Sequence, residues 1–352
     1  MISQCLGEPV AYEMECTRDS AADLLAMGCD ELAQGKADGL WSDTLCALGF
    51  ADHCTYPALF EPTGGAARYP IVLLHGFAAS ATFNGFHDAT VDALRADGHD
   101  VYVTETAPFE GVDARTDRLE GQILDILDVT GADKVHLIGH SMGGLDARNL
   151  VCRPGAFDFG AKVATITTVS TPHRGSLIAD VVLDKSADPD LIEALSVVFG
   201  DMFSQNNQTP DVIEALESLS EAGAAGFNAS CVDDPRVDYY SYAGVSSVDG
   251  INLQEDHERA VCGDSIRHDG TAAATHPLLA LSAAVVAHGL EFRPNDGAVM
   301  VESAQWGDFL GCVPADHGAE IGALDQFGFL GRSGFESRAF LRHHAYLLAD
   351  RE

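Results

Sequence analysis

The six residues Gly139-His-Ser-Met-Gly-Gly144 restrict the fold more than any other stretch of this chain. They follow the apolar run Val135–Ile138 and precede a stretch of helical character, Leu145–Cys152. A strand that turns at once into a helix needs small residues at the turn, because a Cβ there would meet the backbone of the other arm. Gly139 and Gly143 flank Ser141 in the G-x-S-x-G spacing. That spacing lifts a serine hydroxyl above the edge of a sheet, the geometry of a nucleophile elbow. The alternative is a chance match in an ordinary βα turn, and the strand before and helix after weigh against it.

The surrounding pattern extends this unit. Ile71–Leu74, Val101–Glu105, Val135–Ile138, Val163–Val169 and Tyr239–Ala243 read as strands. Thr90–Asp97 and Arg115–Val129 read as helices between them, the second through Leu119, Ile123, Ile126 and Leu127. Repeated βα units predict an α/β fold with a mostly parallel sheet covered by helices on both faces. The alternation breaks over 176–227. There Leu191, Ile192, Leu195, Val198, Phe199, Met202 and Phe203 mark one helical face. A core helix would show that stripe, but an insert of this length after the nucleophile strand reads as a lid over about 176–220. A last amphipathic helix is expected over Glu336–Leu348.

Composition narrows the partners. The formal net charge of −34 over 352 residues repels nucleic acid and anionic membranes, so no nucleic acid is expected as a partner. Neutral substrates meet no such barrier. Five of the nine cysteines, Cys5, Cys16, Cys29, Cys46 and Cys54, lie in the first 54 residues, with no C-x-x-C pair to suggest zinc. That pattern predicts a disulfide-bearing N-terminal extension over 1–66, ahead of a catalytic domain over 67–352, in a secreted protein. No signal peptide is apparent in the given chain. Buried free thiols are the competing reading.

A serine nucleophile needs a base, an orienting acid and an oxyanion hole. In this strand–elbow–helix setting the chain order is serine, acid, histidine. Asp296 sits in the turn Arg293-Pro-Asn-Asp-Gly297 and His317 in the loop Pro314-Ala-Asp-His-Gly318. His343 and His344 fall on the last helix, and His75, His136, His140 and His173 break the order. The expected triad is therefore Ser141, Asp296 and His317. The expected oxyanion donors are the backbone amides of Phe77, after the first strand, and Met142, after the nucleophile.

Several runs resemble the secreted true lipases of Pseudomonas and Burkholderia. They are Tyr69–Gly76, Val101–Glu105, Val135–Ser141, Ser170–Ser176, Leu216–Leu219, Gly223–Asn228, Tyr239–Tyr242 and Asn295–Gly297. They fall in the family order and span residues 69 to about 325. The resemblance implies an α/β-hydrolase fold, a helical lid, ester hydrolysis at a lipid–water interface and the triad named above. A dedicated folding helper serves some relatives. A polyester depolymerase or a short-chain carboxylesterase is the rival enzyme; a non-catalytic binder of apolar ligands is the rival outside enzymes.

Three departures matter. Residues 1–66 lack a counterpart in the usual mature lipase. The family's calcium aspartate, two residues after the histidine, is Ala319 here, so no cofactor is expected and structural calcium loses a ligand. The family's disulfide partner for Cys231 is Glu302 here. Cys262 and Cys312 fall in the two segments that calcium ties together in the relatives, so a Cys262–Cys312 bond is expected in its place. Cys231–Cys312 and free thiols are the alternatives.

Overall fold

The computed structural model describes residues 64–79, 85–184, 210–247, 260–262, 273–276, 279–288, 291–323 and 335–351. The N-terminal extension up to residue 63 and the centre of the expected lid, 185–209, with its apolar stripe, lie outside these residues.

Six strands form one sheet: β1 (Ile71–Leu74), β2 (Val101–Val103), β3 (Val135–His140), β4 (Val163–Val169), β5 (Asp238–Gly244) and β8 (Asp308–Val313). Their order is β2-β1-β3-β4-β5-β8 and every neighbouring pair is parallel. A separate pair, β6 (Ser246–Ser247) and β7 (Ala273–Ala274), lies beyond β5. The helices are α1 (Asp88–Ala96), α2 (Val112–Thr130), α3 (Met142–Cys152), α4 (Leu177–Leu183), α5 (Pro210–Leu219), α6 (Glu221–Ser230), α7 (Ala280–Val286), α8 (Val301–Ala304) and α9 (Ser337–Ala349).

The period-2 geometry of a strand explains the two-faced cover. In β1, Ile71 and Leu73 pack with Leu94 of α1 and with Phe340 and Leu341 of α9. Val72 and Leu74 face the other way, onto Leu119 and Ile123 of α2 and Leu150 of α3. All four β1 side chains are at most 1 % exposed, and each such burial stabilises the fold by about 1.5–3 kcal/mol. A third apolar cluster joins α4, α5, α7 and α8 to Met142 and Leu145 at the carboxyl end of the sheet.

Strand β8 was not read from the sequence. Asp308 opens it and Gly311 breaks its short apolar run, and β8 takes its place through pairing with β5. The expected strand Val101–Glu105 stops at Val103. Beyond it, the Thr104 amide donates to Leu73 O, and the Glu105 and Thr106 amides donate to the side chains of Gln122 and His75.

Two disulfides join described cysteines, Cys152–Cys231 and Cys262–Cys312. The second is the expected pairing. The first settles the partner of Cys231, which sequence reading left open.

Candidate active site

Ser141 stands between the end of β3 and the first residue of α3 with φ 54° and ψ −129°. A non-glycine residue held at positive φ stores strain, and such strain collects at functional turns. The glycines explain how the turn closes. A Cβ on Gly139 would lie 2.5 Å from the Gly144 amide nitrogen, and one on Gly143 would overlap the carbonyl oxygen of Leu74 in β1. The elbow thus requires glycine on both sides, one for the bend and one for contact with the neighbouring strand.

The acid and base come from loops much later in the chain. His317 Nδ1 lies 2.7 Å from Asp296 Oδ2. A carboxylate only accepts, so Nδ1 carries the hydrogen and Nε2 is left with its lone pair free to take a proton. Asp296 is fully buried, and its Oδ1 accepts the amides of Ala298 (2.8 Å) and Val299 (2.7 Å). Burial alone would raise its pKa, but His317 and these donors outweigh that and hold it below the usual carboxylate range. The His317 amide donates back to Asp296 O at 2.9 Å, which fixes the two loops together.

His140, the residue before Ser141, joins this unit to the elbow. Its Nε2 donates to the His317 carbonyl at 2.8 Å, and the two rings are 4.6 Å apart. Burial, aided by His317, drives the His140 pKa down to about 3, so it is neutral near pH 7. Chain order had set His140 aside as a base. The structure gives it a different task, docking the base's loop beside the nucleophile. The other histidines set aside are structural: His75 accepts the Thr106 amide, His136 pairs with Thr165, His173 with Thr168, and His344 with Thr167 and Tyr242.

The turn that would carry an oxyanion donor also approaches Ser141. A Cβ on Gly76 would stand 2.7 Å from Ser141 Cβ and 3.2 Å from its Oγ. Phe77 follows, its ring edge-on to Phe109 at 5.6 Å. Met142 opens α3, and the first amides of a helix have no partner within it. Arg115 anchors the turn from below. It is fully buried and donates to Asp146 Oδ2 of α3 (2.8 Å), Ala107 O (2.8 Å) and His75 O (2.7 Å). Sequence reading missed this pair because two charges 31 residues apart look like surface residues.

Asp316 secures the histidine loop on its other side. Its Oδ1 accepts the Gly318 (3.1 Å) and Ala319 (2.9 Å) amides, and its Oδ2 accepts the His276 amide at 2.9 Å. Both oxygens are thereby committed to the protein, and Ala319, buried, offers no side-chain oxygen. The residues at this position do not fit the calcium pattern of the family resemblance. A different group, His140, His317 and Glu320, brings one potential metal-ligand atom from each residue within 4.8 Å of the others.

Comparison with known proteins bears on the fold and its relatives. A family model described as the alpha/beta hydrolase fold matches residues 69–192. The triacylglycerol lipase of Burkholderia plantarii is 35 % identical over 195 residues, covering 52 % of this chain and 53 % of the lipase. The triacylglycerol lipase of Pseudarthrobacter phenanthrenivorans is 36 % identical over 179 residues, covering 47 % and 54 %. The chain therefore spans about half the length of these two relatives. Among solved structures, a metagenomic carboxyl esterase superposes with a TM-score of 0.57 at 19 % identity, covering 83 % of this chain and 79 % of the esterase. The lipase of Staphylococcus hyicus gives 0.55 at 18 % identity, covering 83 % and 99 %. At such identities the likeness concerns the fold.

Proposed function

We propose that this chain, which belongs to the α/β-hydrolase superfamily and is related to the bacterial triacylglycerol lipases, hydrolyses carboxylic esters of water-insoluble acyl groups. The observation that carries the proposal is the pairing of buried Asp296 with His317, whose loop is held by His140, the residue before a strained serine.

In this reading Ser141 Oγ attacks the ester carbonyl and His317 Nε2 takes its proton. Asp296 holds the imidazole in that tautomer and stabilises the imidazolium that forms. The amides of Phe77 and Met142 receive the oxyanion. His317 then gives its proton to the departing alcohol. Water, activated by the same histidine, attacks the acyl-enzyme; the carboxylic acid leaves and Ser141 regains its proton. No step needs a cofactor.

Residues 176–220 act as a lid. The apolar cluster that links α4 and α5 to Met142 and Leu145 supports this placement beside the nucleophile. The acidic surface favours a neutral lipid interface over an anionic one. Two disulfides favour an oxidising, extracellular setting, and among the described residues no helix is long and apolar enough to cross a membrane.

The test is a p-nitrophenyl ester series from butyrate to palmitate, with emulsified triolein and a polyester film. Activity rising toward long chains and triolein supports a lipase. Activity confined to butyrate makes the enzyme a short-chain esterase. Ser141→Ala or His317→Ala should lower kcat by roughly 10⁴–10⁶-fold, because the triad acts as a unit. A His317→Ala variant keeping a tenth of the activity refutes the assignment.

A further inference from the structure

Ser176 is the residue at which the 176–220 insert leaves the body of the fold, and its hydroxyl is not spent where its position suggests. It stands at the N-cap of α4, where a serine ordinarily accepts one of the first amides of its own helix. Ser176 makes no such bond. Its Oγ instead donates to the carbonyl of Ala298 at 2.7 Å, 122 residues further along the chain. Its amide donates at 2.8 Å to the carbonyl of Leu219, the last residue of α5. The two ends of the insert therefore meet at this one residue.

The choice of acceptor gives the hydroxyl bond a consequence. The Ala298 carbonyl and the Val299 amide belong to one planar peptide unit. That amide donates to Asp296 Oδ1 at 2.7 Å. The peptide thus receives a hydrogen from Ser176 on its oxygen and gives one to Asp296 from its nitrogen. A hydrogen bond at one end of a peptide polarises it and strengthens the bond at the other end, by about 10–30 %. Asp296 in turn holds His317 Nδ1 at 2.7 Å. An unbroken line of hydrogen bonds runs from Ser176 Oγ through this peptide and Asp296 to His317.

Neighbouring contacts hold the turn without help from the Ser176 hydroxyl. Ser303 Oγ donates to Gly175 O at 2.7 Å and accepts the Arg174 amide at 3.1 Å. The Arg174 guanidinium donates to Glu302 O and Gln305 O, each at 2.7 Å. Gly175, at φ 89°, lies so close to α6 that a Cβ there would stand 2.5 Å from the Glu221 backbone. With the turn fixed in these ways, losing the half-buried Ser176 hydroxyl chiefly affects the Ala298–Val299 peptide.

Resting on the triad reading above, we propose that Ser176 is a positioning residue for the catalytic acid: through the Ala298–Val299 peptide it holds the Asp296 carboxyl toward His317, and so ties the base of the 176–220 insert to the triad.

The test compares wild type, Ser176→Ala and Ser176→Thr, each alone and combined with Asp296→Asn, on p-nitrophenyl butyrate. Alanine removes the hydroxyl and threonine keeps it. Ser176→Ala should lower kcat about threefold to tenfold with KM within about twofold, and Ser176→Thr should stay within about twofold of wild type. In the Asp296→Asn background Ser176→Ala should cost less than about twofold, because the carboxylate it acts through is gone. Proton NMR reads the same link without turnover. The far-downfield resonance of the His317 Nδ1 hydrogen should move in Ser176→Ala and stay in place in Ser176→Thr. If Ser176→Ala does not fold, Ser176→Cys, of nearly the same size and with a weak donor, replaces it in both measurements. A serine that only satisfies the Ala298 carbonyl would leave the resonance unmoved and cost the same in both backgrounds; either result overturns the proposal. Wild type without ester hydrolysis, with the resonance still moving in Ser176→Ala, would instead overturn the functional reading while the link from Ser176 to Asp296 stands.

Discussion

Removing the Arg115 guanidinium should damage both stability and catalysis, and the two effects can be separated. Arg115 and Asp146 are each fully buried. Arg115→Met keeps most of the volume and leaves the Asp146 carboxylate, Ala107 O and His75 O without their donor. Deleting one partner of a buried pair costs about 3–5 kcal/mol, because the other charge stays in the low-dielectric interior. Burial already raises the Asp146 pKa above the usual value even with Arg115 present. Without Arg115 that rise grows, so Asp146 takes a proton on acidification and the loss should shrink as pH falls from 7 toward 5. Replacing both partners, Arg115→Met with Asp146→Leu, should recover more than about 2 kcal/mol of the single-variant loss. Urea unfolding of the four proteins of the cycle measures this. Because Arg115 also holds His75 O, two residues before the Phe77 amide, kcat should fall about tenfold to a hundredfold under conditions where the variant is folded. A loss below 1 kcal/mol, or no recovery in the double variant, refutes the reasoning.

Other outcomes follow from the same geometry. Gly143→Ala should cost about 2–3 kcal/mol or more, since its Cβ would overlap Leu74 O of the central sheet; a melting temperature equal to wild type would contradict this. Cys312→Ser opens a disulfide whose cysteines stand 50 positions apart and should lower unfolding free energy by up to about 4 kcal/mol. Excess EDTA should leave the melting temperature unchanged, while a reductant should lower it. His344 is fully buried with its pKa depressed to about 3, chiefly by desolvation. Its contribution is present above its unfolded pKa near 6.5 and lost as pH falls toward 3, at about 1.4 kcal/mol per pH unit. His344→Gln should flatten acid destabilisation by that slope between pH 6 and 4, as read by urea titrations at each pH.

The legible part of the site was the part governed by local rules. Backbone sterics make the G-x-S-x-G glycines readable, and the structure shows the same Cβ conflicts at Gly139 and Gly143. Asp296 and His317 were legible because turn residues at strand ends and chain order single them out, and the structure brings them to 2.7 Å. The Cys262–Cys312 bond was legible only against the family pattern. What escaped depends on distant packing. Glu320 is one of 54 acidic residues, and nothing local marks it as buried. Arg115 and Asp146 look like surface charges until α2 and α3 close on each other. Strand β8 is short and its apolar run is broken by Gly311, and pairing with β5 supplies the rest.

The central claim is that Ser141 is the nucleophile activated by His317. An aryl alkylphosphonate, which traps such a serine as a stable phosphonate ester, tests it most directly. The account predicts one aryl leaving group released per protein molecule and one adduct, located by mass spectrometry on the peptide that carries Ser141. It also predicts no adduct in Ser141→Ala and labelling slowed by at least about a hundredfold in His317→Ala. An adduct on another residue, or wild-type labelling rates in His317→Ala, would contradict it.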